Sequence, residues 1–183
     1  MTPFEQTLLE IDRLCQDGQI PYAVIGGIAA LIHGGMRTTQ DVDITIYTEI
    51  DQLEGIYKLF EKDFVAIRQD AREFFQRFFV LSLRHRQAQI RVDVAAALSG
   101  LERDAITRSE RRRFGQVEIS VCSVEDLIIF KLFAARDKDM ADVKTLITMH
   151  KAKLDISYLH KRAREFIMLE RSDVIERLEA LLQ

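Results

Sequence analysis

The segment DVDITI at residues 41–46 limits the fold more than any other stretch. Its residues alternate strictly, so Val42, Ile44 and Ile46 face one way while Asp41, Asp43 and Thr45 face the other, which is the period of a β-strand. A strand with one apolar face belongs to a sheet packed against a core. Its two carboxylates must then share the opposite face. Like charges that close repel, and one pKa rises unless a cation neutralises them. Just upstream, YAVIGGIAALIHGG reads as a short buried strand over 21–25 that turns through Gly26 and Gly27 into a helix. Glycines at such a junction let backbone N–H groups approach a phosphate, and the helix N-terminus adds its positive end.

A third acid follows the same rule. In IRVDV, residues 90–94, the apolar Ile90, Val92 and Val94 share a face and leave Arg91 and Asp93 on the other. If that strand neighbours the first, three carboxylates meet on one sheet face. Such a hard-oxygen site suits Mg²⁺, and two ions there would clamp an in-line phosphoryl transfer. An isolated Asp-x-Asp is more often a cap or a turn. The upstream glycines and the third acid set this one apart.

Around these motifs the chain alternates helix and strand. A helical stripe runs over 4–15, a helix over about 51–61, and a strand near 64–68. Two strands meet at a polar turn near Gln87, and a β-hairpin formed by AITRSERRRF and VEISV turns at Gly115. Helices follow, the first opening on a Ser123 cap with Asp126 at the capping-box position. The expected fold class is α/β in the α+β sense, a mixed β-sheet with flanking helices over residues 1–121. A C-terminal helical region, 122–183, completes it.

Composition narrows the function. Of 183 residues, 30% are charged and the net charge is −3, so the chain as a whole is not built to bind polyanions. Its local exceptions are RSERRRF, Arg108 to Phe114, and the mid-chain arginines Arg84, Arg86 and Arg91. No apolar run approaches the roughly 20 residues of a membrane span. The amphipathic start does not read as a signal peptide. Cys15 and Cys122 read as reduced packing cysteines, which points to a cytoplasmic protein, and no His/Cys spacing suggests zinc.

The IGG turn, the RTTQDVDI lead-in and the later VDV resemble the nucleotidyltransferase superfamily that includes DNA polymerase β. The resemblance implies that Gly26 and Gly27 hold a triphosphate and that Asp41 and Asp43 bind two Mg²⁺ ions. Asp93 would bind the catalytic ion and help activate an acceptor hydroxyl. Arg37, Thr38 and Thr39 match the lead-in of the minimal bacterial members and would also contact the nucleotide. Many superfamily members carry serine where Gly27 stands, which leaves phosphate binding here to the backbone. Further on, DLIIFKLFAARDKDMADV is similar to a stretch of the AbiEii-type nucleotidyltransferases, several of which are type IV toxins. That likeness implies nucleotide contact by Lys131 and an active-site role for Asp142, with Arg136, Lys138 and Asp139 behind them.

The expected activity is therefore Mg²⁺-dependent transfer of an NMP from an NTP to a hydroxyl of RNA (such as a tRNA 3′ end), a protein or a small molecule. A toxin role would add a cognate antitoxin as partner, and no membrane. Two alternatives differ in class. A glycosyltransferase also uses an Asp-x-Asp metal site, though the glycines and Asp93 argue against it. A catalytically silent nucleotide-binding or antitoxin-like module would keep the site without turnover.

Overall fold

The computed structural model describes residues 1–36, 38–98 and 100–183. Its centre is β2 (Asp41–Ile46), whose apolar side chains Val42, Ile44 and Ile46 are fully buried, as the alternation predicts. On one side β2 pairs antiparallel with β1 (Tyr22–Ile25). On the other it pairs parallel with β5 (Arg91–Ala96), in a register that sets Asp43 beside Asp93. Next comes β4 (Val80–His85), antiparallel to β5 with Ser82 opposite Asp93. The short β3 (Phe64–Ala66) forms that edge. Beyond β1 lie β7 (Val117–Val121), parallel to it, and the outer strand β6 (Glu110–Phe114). The seven-stranded mixed sheet thus has the order β3-β4-β5-β2-β1-β7-β6.

Helices close the core. Helix α1 (Pro3–Asp17) starts on a Thr2–Glu5 capping box and buries Leu8, Ile11 and Cys15. The Glu5 carboxylate also reaches the β6–β7 turn, accepting from the Gln116 N–H at 3.2 Å. It rests there on Gly115, at φ +58°, where a Cβ would collide with it. The expected hairpin around Gly115 therefore also docks α1. Helix α2 (Gly26–Ile32) follows β1, and α3 (Leu53–Phe60) and α4 (Ala71–Phe78) precede β3 and β4. Phe60 of α3 packs on Phe64, whose ring meets His85 at 5.1 Å, so this face of β3 and β4 is closed.

One element departs from expectation. Residues Ala105–Thr107, taken as the start of a strand, finish helix α5 (Gly100–Thr107), and the hairpin begins only at Glu110. The helix sinks only Ala105 and Ile106, so its apolar periodicity is too thin to read.

From residue 124 onward the chain is helical: α6 (Val124–Ala134), α7 (Asp137–His150), α8 (Ile156–Glu165) and α9 (Asp173–Leu182). Ser123 caps α6 through the Asp126 N–H at 3.1 Å, as the motif predicts. Asp126 is fully buried beneath Arg108 and accepts from the Tyr158 hydroxyl at 2.5 Å, which ties α6 to α8. Two histidines join α7 to α2. His150 Nε2 donates to the His33 carbonyl and His33 Nε2 to the Cys122 carbonyl, each at 2.8 Å. Among the described residues, no helix is long and apolar enough to cross a membrane.

Candidate active site

The strand register assembles the site. Asp43 and Asp93 lie side by side on parallel neighbours, and Asp41 stands two residues before Asp43 on the same face. Each offers a carboxylate oxygen, and these atoms all lie within 4.8 Å of one another. Burial first, and then the charges of Asp41 and Asp93, push the Asp43 carboxyl up to about 6. Three half-buried carboxylates with only oxygen donors, one of them raised by burial and by its like-charged neighbours, fit a hard divalent cation.

Each acid has a support. The Thr39 hydroxyl donates to Asp41 Oδ1 at 3.0 Å and to the Asp41 carbonyl at 3.1 Å. Ser82 Oγ donates to Asp93 Oδ1 at 2.5 Å, and Arg91 Nη2 lies 3.0 Å from Oδ2. Asp43 leans on the glycine turn. Gly26 sits at φ +64°, and a Cβ there would stand 2.0 Å from Asp43 Oδ2. The Gly27 backbone N–H bonds the same carboxylate and partly offsets its raised pKa. Only glycine satisfies both the dihedral and the close approach. The turn expected to face phosphate is thus first a seat for Asp43.

The helical residues form a second polar cluster. Lys131 on α6 is 3% exposed, with Nζ 2.6 Å from Asp142 Oδ2 and 3.5 Å from Asp139 Oδ1, both on α7. Burial alone would push the Asp139 carboxyl up, but the Arg136 hydrogen bond and the Lys131 and Arg136 charges hold it below its usual value. Arg136 Nε donates to Asp139 at 2.5 Å from the N-cap of α7. Its side chain is 63% exposed, and its charge is felt by Asp43.

The three acids, both glycines and Thr39 therefore gather at one end of β1 and β2. Thr38 is exposed on the loop leading there. Arg37 lies outside the described residues. Lys131 and Asp142 meet each other within the helical cluster. Ser82 and Arg91 were missed as supports. Arg91 could have been found from its place two residues before Asp93, whereas Ser82 depends on a strand pairing that no local pattern encodes.

Three clustered carboxylates on a mixed sheet, beside a glycine turn that opens a helix, define an enzyme that transfers nucleotidyl groups. The chain belongs to the family described as nucleotidyltransferase of unknown function (DUF6036), whose model matches residues 4–178. The glycosyltransferase alternative gives way to this assignment. Solved structures of the same fold include an antigenic nucleotidyltransferase-like protein from Paracoccidioides brasiliensis, with TM-score 0.55 and 18% identity over 96% of this chain and 92% of that one. The antibiotic-resistance factor ANT(2″)-Ia superposes with TM-score 0.64 at 14% identity, covering 94% of this chain and 98% of its own. The lincosamide antibiotic adenylyltransferase LnuA, solved with lincomycin bound, gives 0.52 at 14% identity, covering 79% and 97%. Comparison with curated proteins by sequence gives no match.

Proposed function

We propose that this nucleotidyltransferase is Mg²⁺-dependent and moves an NMP from an NTP to an acceptor hydroxyl, releasing pyrophosphate. The observation that carries the reading is the cluster of Asp41, Asp43 and Asp93, with ligand atoms within 4.8 Å of one another. Asp41 and Asp43 would hold both ions, and Asp93 the one on the acceptor side. Bound there, the cations would neutralise the triphosphate and lower the pKa of the attacking hydroxyl.

The chain's own residues do the rest. Gly26 and Gly27 keep the Asp43 carboxylate in place and leave the α2 N-terminus open to phosphate. Arg136, held by Asp139, meets the triphosphate from the helical side. Lys131 and Asp142 serve this arrangement from beneath by fixing α7 against α6, and Thr38 would face the nucleotide; the nucleotide contact of Arg37 rests on the sequence resemblance alone. In the transfer step the acceptor oxygen forms a bond to the α-phosphorus and the bond from that phosphorus to the pyrophosphate oxygen breaks. The acceptor's proton passes to Asp93 and on to solvent. A toxin-like role of AbiEii type, with a cognate antitoxin and a cytoplasmic setting, belongs to the same reading and rests on the sequence resemblance.

The test is incubation with each α-labelled NTP and Mg²⁺, together with total cellular RNA or protein. Label should reach an acceptor in the wild type and not in Asp43→Asn. Tight Mg²⁺·NTP binding without transfer to any acceptor would favour the silent module, and no Mg²⁺-dependent NTP binding would overturn the reading altogether.

A further inference from the structure

The two arginine groups of the sequence meet different fates. Those near β6 are largely neutralised: Arg111 pairs with Asp12, Arg108 with Asp126 and Arg112 with Glu110, while Arg113 stands opposite Glu118. Arg84 is not, although its neighbour Arg91 pairs with Asp93. The two arginines are directly opposite each other on β4 and β5, and both are exposed. Like charges in that relation destabilise a sheet. Among the described residues, Arg91 has a partner in Asp93, but Arg84 Nη1 reaches only the Gln89 carbonyl, at 3.1 Å. Two further residues extend this face. Val65, opposite Arg84 on β3, and Ile67, whose N–H bonds the Ser82 carbonyl, are 45% and 44% exposed. While the other face of β3 and β4 is closed by Phe64 and His85, this one is open from Asp93 to the sheet edge.

On the reading proposed above, the nucleotide enters from the β1 side, where Gly26, Gly27 and Arg136 lie. The acceptor must then come to Asp93 from the β4 side, past the arginine pair. We propose that this open face is the acceptor site and that the acceptor is the 3′ end of a single-stranded polynucleotide, with phosphates on Arg91 and Arg84 and the chain running out over Val65 and Ile67. Charge complementarity selects the occupant. Phosphates next to the reacting hydroxyl relieve the Arg84–Arg91 repulsion. A polycationic aminosugar would meet two guanidinium groups at the same entrance. The run of surface beyond the arginines gives a chain room that a single phosphate ester does not need.

The test is fluorescence anisotropy with a short 5′-labelled single-stranded RNA bearing a free 3′ hydroxyl, at fixed Mg²⁺ and rising KCl. Wild type should bind with a steep salt dependence. Arg84→Gln and Arg91→Gln should each weaken binding several-fold and lower the slope of log K against log salt by ~0.7, the share of one single-strand phosphate. Arg84→Lys, which keeps the charge, should keep the slope. Wild type that binds Mg²⁺·NTP but binds RNA no tighter than the doubly substituted protein would sink the acceptor assignment alone. RNA binding with this slope pattern, but without Mg²⁺·NTP binding, would support the surface and sink the nucleotidyltransfer reading. Displacement of the RNA by a nucleoside monophosphate at comparable concentration, or transfer to an aminosugar, would overturn the polynucleotide assignment.

Discussion

The contact between Gly26 and Asp43 joins two motifs that the sequence presents separately. A methyl group at residue 26 would stand 2.0 Å from the carboxylate oxygen, so Gly26→Ala must push Asp43 away or open the turn. A non-glycine residue at this φ also costs about 1 kcal/mol. Mg²⁺ affinity should fall about 10- to 100-fold, as for a lost metal-ligand support, while circular dichroism stays native. Calorimetric Mg²⁺ titration checks this. Asp43 also gives a pH prediction. Its folded pKa of about 6 lies above the ordinary carboxylate value, so the native state holds the extra proton between the two. Without metal, ionising Asp43 therefore lowers stability as pH rises through that window, and the loss is complete above it. Asp43→Asn should raise metal-free stability by about 3 kcal/mol at pH 8, and by roughly half of that at pH 5. Urea unfolding at both values tests the sign. Much of this was legible, because period-2 alternation needs no tertiary information. That the turn carries an acid was not, because the approach of Gly26 to Asp43 depends on how β1 lies against β2.

At the scale of elements, the α6–α7 pair is where local pattern gave least help. Asp139 and Asp142, one helical turn apart, could equally have paired on the surface with Lys138 or Lys144. Instead they turn inward to Lys131, a contact between residues on different helices. Lys131→Met takes the buried ammonium away from Asp142 and from Asp139, which Arg136 still holds, and should cost about 3 to 5 kcal/mol. The variant should melt early and, with α7 loosened, bind NTP less well. Normal NTP affinity measured well below its melting temperature would show that Lys131 neither holds nor contacts the nucleotide side. On the proposed function, the acids on β2 and β5 separate by role. Asp93→Asn should keep most Mg²⁺·NTP affinity yet lose transfer, since a group needed chiefly in the transition state lowers turnover more than binding. Nucleotide titration beside single-turnover transfer checks it, and transfer at the wild-type rate would remove Asp93 from the mechanism. Helix α5 was hidden because its first turns bury so little, whereas the hairpin at Gly115 announced itself through its turn.

Across the whole molecule, the proposed division of labour follows the strand order. The β1 side carries the glycine turn and faces α7, the β4 side carries the open arginine face, and the acids lie between. The mixed order of the sheet could not be read from the chain, since each strand's own pattern is silent about its neighbours. The Asp43–Asp93 register, once formed, has a consequence for how the protein matures. Strands β2 and β5 are parallel and separated by the 44 residues 47–90, which include β3 and β4, so their pairing closes a long loop and is intrinsically slow. A slip of one residue would turn Asp93 into the core and bring Val92 or Val94 out in its place. The three-carboxylate cluster therefore does not exist in any partly assembled chain that lacks this pairing. In refolding, far-ultraviolet ellipticity should recover before Mg²⁺ binding does, and that lag would time the closure of the sheet.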